Sequence, residues 1–222
     1  MPANFFESTP QPSGPYPDDS INLVYQMLFA DNAELYRNHA TQPLGYPFDI
    51  LLSNSPSNAD LQRIVDDNAV ETRAKLLAYN WLLTNGHRPE KKQLLAVIVE
   101  VGLDGGLDTL AAYSDGTARY INYTGSMVVW ESPNETSNQL IADLFSKSVA
   151  IVSQIGPWDD ARRPHPAKGT LRLSFLVSDG LYFGEGPVNV LFNDAMAQPA
   201  LTSATALMQY LTQMAAAKGK DS

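Results

Sequence analysis

Residues 94–131 constrain this chain more than any other stretch. They read LLAVIVEVGL, DGG, LDTLAAY, SDG, TARYINY, TG, SMVVWE: four apolar, β-favouring runs punctuated by glycine turns. Runs of this length bounded by Asp-Gly and Thr-Gly form strands joined by tight hairpins. Four in succession predict an antiparallel meander. The meander sets the fold class without stating a function.

Hairpin loops decide which residues lie opposite, and side chains alternate between two faces. Two-residue turns at Asp115-Gly116 and Thr124-Gly125 set Tyr113 opposite Ala118, Ile121 opposite Val128 and Arg119 opposite Trp130. A three-residue loop Asp104-Gly105-Gly106 sets Val99 opposite Ala111. One face then carries Leu95, Val97, Val99, Val101, Ala111, Tyr120 and Val129. The other carries Ile98, Leu110, Ala112, Ile121, Val128 and Trp130, with Glu100 and Arg119. Antiparallel sheets usually leave one face polar and wet, and this second face is too apolar for that. It needs a cover: the chain's own helices, or another chain, since large apolar patches mark interfaces. Arg119 beside Trp130 is placed to stack on the indole, with Glu100 balancing its charge.

Helices flank the meander. Asp18, Asp19 and Ser20 offer caps for a helix running to about Asn38, stopped by the Pro43, Gly45, Pro47 cluster. Ser57, with Asp60 three residues on, starts a second stripe ending at Gly86; its length predicts a break near residues 66–68. Ser132-Pro133-Asn134-Glu135 predicts a third helix capped by Ser132 and ended by Gly156-Pro157. A strand at 170–177, a turn at Asp179-Gly180, a short strand at 181–183 and a helix opened by Pro199 complete the chain. The order α-α-ββββ-α-ββ-α predicts an α+β fold: a mainly antiparallel sheet, the meander plus a later two-stranded hairpin, packed with helices. Residues 1–19 hold Pro2, Pro10, Pro12, Pro15 and Pro17, so a flexible Pro-rich arm is expected there, with Phe5 and Phe6 as anchors. A single domain over 20–217 and a frayed tail over 218–222 follow.

Composition then excludes several activities. A net charge of −9 disfavours nucleic acid as a partner. No run approaches the ~18 apolar residues of a membrane span, so no membrane partner is expected. The first ten residues, MPANFFESTP, lack the regions of a secretory signal, and there is no cysteine; both fit a cytoplasmic location. His39, His87 and His165 stand isolated, with no metal-ligand spacing. Phosphate-cradling glycine loops and nucleophile elbows are missing, so no metal, no cofactor and no catalytic residue is assigned.

Two segments stand out as binding candidates. The loop at residues 157–168, PWDDARRPHPAK, gathers Trp158, Arg162, Arg163, His165 and Lys168 in an acidic protein. Tryptophan and arginine dominate binding hot spots, and a proline-stiffened loop loses little entropy on docking. Residues 179–187 place Asp179, Tyr182 and Glu185 among three glycines, a composition suited to a ligand mouth and equally to a plain hairpin with an edge strand. Over residues 57–217, element order and acidity resemble those of the acidic chaperones of type III secretion. That resemblance implies a dimer holding an extended partner; an extra strand and an N-terminal region depart from it. The sequence therefore favours a non-enzymatic protein-interaction or regulatory module, chaperone-like or inhibitor-like, binding a protein partner or itself. The alternative is an enzyme or small-molecule binder with its site at residues 179–187.

Overall fold

The computed structural model describes residues 14–218. Among these, eight helices surround one six-stranded sheet. Five short helices come first: α1 (Asp19–Met27), α2 (Ala33–His39), α3 (Phe48–Leu51), α4 (Asn58–Asp66) and α5 (Thr72–Thr84). The meander is β1 (Leu94–Leu103), β2 (Gly106–Tyr113), β3 (Ala118–Ile121) and β4 (Met127–Trp130). Then come α6 (Glu135–Val152), β5 (Thr170–Val177), β6 (Gly180–Pro187), α7 (Val188–Leu191) and α8 (Gln198–Lys218). The sheet order is β4-β3-β2-β1-β5-β6, and every neighbouring pair is antiparallel. This is the α+β class that the element order predicts.

Each meander loop differs by one residue from expectation. Ala112 pairs with Ala118 and Ala118 with Trp130, so Ser114-Asp115-Gly116 and Tyr123-Thr124-Gly125 are three-residue loops. The reason is backbone handedness. In each of these loops positive φ falls on the glycine alone, Gly116 (φ 84) or Gly125 (φ 88), as in a three-residue hairpin loop whose last residue is left-handed. Between β1 and β2 the error runs the other way. Leu103 pairs with Gly106, leaving Asp104-Gly105 as the turn. Gly106 is instead a strand residue: a Cβ there would sit 2.1 Å from the Tyr123 carbonyl oxygen.

A one-residue slip moves side chains to the opposite face. Leu110, Ala112, Val128 and Trp130 therefore join Val97 and Val99 on one side, under α6, α7 and α8. Ile98, Ala111, Tyr113 and Ile121 lie on the other, under α1 to α5. Both sides are covered within the chain: Ile98 and Ile121 are 0% exposed and Trp130 is 6% exposed. The expected second face is therefore divided between the two sides, yet both sides are apolar, and the cover of each is the chain's own helices.

Four local readings also change. The helix expected to run from Ser20 to Asn38 is two, because Asn32 turns its side chain back to accept from the Glu34 and Leu35 N–H groups and starts α2. The long stripe after Ser57 does break, between α4 and α5. The α6 cap is Asn134 rather than Ser132, since Asn134 and Ser137 satisfy each other's N–H groups as a capping box. β6 runs through Gly184 and Gly186 instead of stopping at Phe183. Of the expected arm, residues 1–13, with Phe5 and Phe6, lie outside the described residues. Its last part is docked. Tyr16 is 4% exposed, exchanges two hydrogen bonds with Asn22 and pairs its hydroxyl with Thr109 Oγ1 at 2.9 Å.

Candidate functional site: the strap and the β6 edge

The two segments singled out from the sequence form one structure. The 157–168 loop is a strap that crosses the N-terminal-helix side of β5 and β6. Its start is fastened to β6 by Trp158 N–H, which donates to the Leu181 carbonyl at 2.7 Å. The Trp158 ring meets Phe183 edge-on at 5.1 Å, and its Nε1 donates to the Ala161 carbonyl. The Arg163 guanidinium lies over both rings, 4.8 Å from the Trp158 centroid and 5.3 Å from that of Phe183.

Arg162 points the other way. It donates to Asp31 Oδ2 at 2.6 Å and to Gln26 Oε1, and lies 3.9 Å from the Phe29 centroid. It ties the strap to the α1–α2 layer. His165 is half-buried beside Pro166. Lys168 pairs with Asp104 at 2.9 Å.

Two residues that sequence reasoning did not assign to this site organise it. Arg172 on β5, 3% exposed, donates to Glu185 Oε2 at 2.6 Å and to the Arg163 and Pro164 carbonyls. Its Nη1 stands 3.8 Å from Glu100 Oε2. Glu100 on β1 is fully buried and accepts from the Tyr25 hydroxyl at 2.6 Å. Burial pushes the Glu100 carboxyl above its ordinary range; the Tyr25 hydroxyl and the Arg172 charge oppose this without cancelling it. A signal was present: Glu100 and Arg172 are single charges inside apolar strands, and such charges are rarely buried without partners.

Other expected groupings separate. Arg119 and Trp130 lie on opposite sides of the sheet, so they do not stack. Arg119 instead donates to the Ala118 carbonyl at 2.8 Å and pairs with Glu131, while Trp130 meets Tyr210 edge-on at 5.7 Å. Glu100 consequently balances Arg172, not Arg119. Tyr182 and Glu185 also point to opposite sides. Tyr182 is buried on the α6–α8 side, donates to Asp179 Oδ2 at 2.9 Å and lies beneath Lys92. Its phenol is pushed up by burial. Alternation along β6 thus divides the expected ligand mouth between two faces.

The outer edge of β6 remains open. Val177 pairs with Gly180 across the turn, so Gly180, Tyr182, Gly184 and Gly186 direct their backbone groups to β5. Leu181, Phe183 and Glu185 direct theirs outward. The Leu181 carbonyl is taken by Trp158. The N–H and C=O of Phe183 and of Glu185 have no hydrogen bond among the described residues. A Cβ at Gly184 would meet nothing within 4 Å. Beyond the strand, Val190, Phe192 and Met196 are exposed apolar residues.

A cleft of about 80 Å³ lies between the sheet and α8, lined by Val99, Leu110, Tyr120, Leu171, Phe192 and Met208. Ligand pockets measure about 300–1,000 Å³, so this one has room for a single side chain rather than a substrate. Among the described residues no three His, Asp or Glu side chains are grouped to hold a metal, and no helix is long and apolar enough to cross a membrane. No protein-family model matches this chain, and no curated protein matches its sequence.

Proposed function

We propose that this chain is a non-enzymatic protein-interaction module that docks its partner along the outer edge of β6. The observation carrying this reading is the unpaired backbone of Phe183 and Glu185 on a fully formed eight-residue strand. Exposed edges are templates for strand addition, and proteins that do not use them blunt them with prolines, bulges or cover. Here the strap covers one end and Pro187 withholds an N–H at the other, leaving Phe183 and Glu185 open between them. The Trp158, Arg163 and Phe183 cluster stands beside the open part, which is hot-spot chemistry next to main-chain donors. The alternative, a small-molecule site at residues 179–187, has weaker support because Tyr182 and Glu185 do not converge.

Random peptides displayed against the full chain test the reading. Selected peptides are expected to bind as extended strands and to lose about tenfold or more in affinity with Glu185→Pro, which deletes one outward N–H. Glu185→Gln, which keeps the N–H, is expected to retain most of the binding. Peptides that bind Glu185→Pro as tightly as the parent would overturn the proposal, as would a selection that enriches nothing.

A further inference from the structure

We infer that the occupant of this edge is β6 of a second copy of the chain, antiparallel and related by a two-fold axis at Gly184. The inference rests on the docking edge proposed above and names what fills it. The products are two six-stranded sheets joined into one.

Backbone parity limits the registers. Among the described residues of β6 only Phe183 and Glu185 have both outward groups free, since the Leu181 carbonyl is taken by Trp158, so a fully hydrogen-bonded pair must combine these two positions. Glu185 opposite Glu185 of the other copy sets like charges face to face, which destabilises a ladder. Phe183 opposite Phe183 brings Glu185 of one copy against Leu181 of the other, where Trp158 already holds the carbonyl. Phe183 opposite Glu185 avoids both conflicts. It satisfies the N–H and C=O of both residues in both copies. At the next position outward, the occupied Leu181 carbonyl meets Pro187, which has no N–H to donate. The axis then passes between two Gly184 residues, where the space around the missing Cβ is empty.

Side-chain charge is complementary in this register. Arg172 holds Glu185 through Oε2, leaving Oε1 without a hydrogen bond among the described residues. Arg163 makes no ion pair with a carboxylate among the described residues and lies over Phe183. Pairing sets Glu185 of one copy beside Phe183 of the other on the same face, under that copy's Arg163. The symmetry makes this contact twice.

Sedimentation of the full chain across a concentration series, with a single-cysteine crosslink, tests the inference. The protein has no cysteine of its own. Gly184→Cys sets two thiols across a non-hydrogen-bonded pair, whose Cα separation of about 4.5 Å suits a disulfide. In a glutathione buffer Gly184→Cys is expected to form a linked dimer at least about tenfold faster than Tyr46→Cys, an exposed control outside the sheet. Glu185→Arg is expected to weaken the parent dimer about tenfold, and Glu185→Arg with Arg163→Glu to restore it. A parent that sediments as a monomer throughout, or a Gly184→Cys crosslink no faster than the control, would overturn the second copy. If selected peptides still depend on the Glu185 N–H in that case, the docking edge stands and only its occupant changes. A dimer unaffected by Glu185→Arg would place the contact elsewhere.

Discussion

On the N-terminal side of the sheet, side chains reach across the interface to end in hydrogen bonds. Tyr16 meets Thr109, Tyr25 meets Glu100, and Tyr113 donates to the Leu28 carbonyl at 2.8 Å. Arg162 and Asp31 add an ion pair between strap and helices. On the opposite side, Leu144, Leu173, Phe175, Leu207 and Leu211 pack with little polar contact, and the ties between helices, Ser203 to Asp143 and Asn134 to Tyr210, sit at the periphery. The difference follows helix length. α6 and α8 have 18 and 21 residues and present continuous apolar stripes that locate them on the sheet. α1 to α5 have 4 to 13 residues each, too few for a long stripe, and directional bonds do the locating instead. Apolar contact supplies adhesion on both sides; hydrogen bonds supply position where the helices are short.

That contrast breaks most visibly in the apolar half. Phe175→Ala removes a fully buried ring and is expected to cost about 3–5 kcal/mol in denaturant unfolding, with little dependence on pH. A loss below about 1 kcal/mol would mean that α6 and α8 re-settle and that the packing is looser than the exposure suggests. In the polar half, Tyr25→Phe keeps the ring and deletes one donor to a buried carboxylate. The expected cost is about 1–3 kcal/mol near neutral pH, shrinking in acid as Glu100 takes up a proton. A pH-independent cost would show that the hydroxyl's contribution does not depend on the charge of Glu100, and the absence of any cost would show that the ring alone holds α1.

The smallest effect is a slope. Because Glu100 is raised in the folded state, the native protein holds this proton to higher pH than the unfolded chain does. Its contribution to stability is therefore largest below the ordinary glutamate value of about 4.3 and declines as pH rises through the folded value. Glu100→Gln removes the titration. The variant's melting temperature, relative to the parent's, is expected to climb with pH from that point. A flat difference would place the Glu100 proton elsewhere.

Much of the fold was legible because hairpin and helix-start signals are local. The meander, the break after α4 and the later hairpin all announce themselves within a few residues. What failed was parity: Asp115-Gly116 and Thr124-Gly125 look like two-residue turns, yet each glycine is the left-handed last residue of a three-residue loop. That single step moved Trp130 away from Arg119. The strap and β6 were each legible as composition, but not their union. Trp158 reaches Phe183 only because β5 passes alongside β1 and returns β6 beneath the strap, a non-local arrangement that no window of sequence contains.

The place of β1 in the sheet has a consequence during synthesis. One neighbour, β2, follows immediately along the chain, whereas the other, β5, pairs Val97 with Phe175 and Glu100 with Arg172. A ribosome that has released the whole meander still exposes one bare ladder of its most apolar strand, with a lone carboxylate in the middle. Contacts of such long separation form slowly, and unfilled edges attract other nascent chains. Translation speed between Glu131 and Thr170 therefore sets how long that ladder stays unprotected.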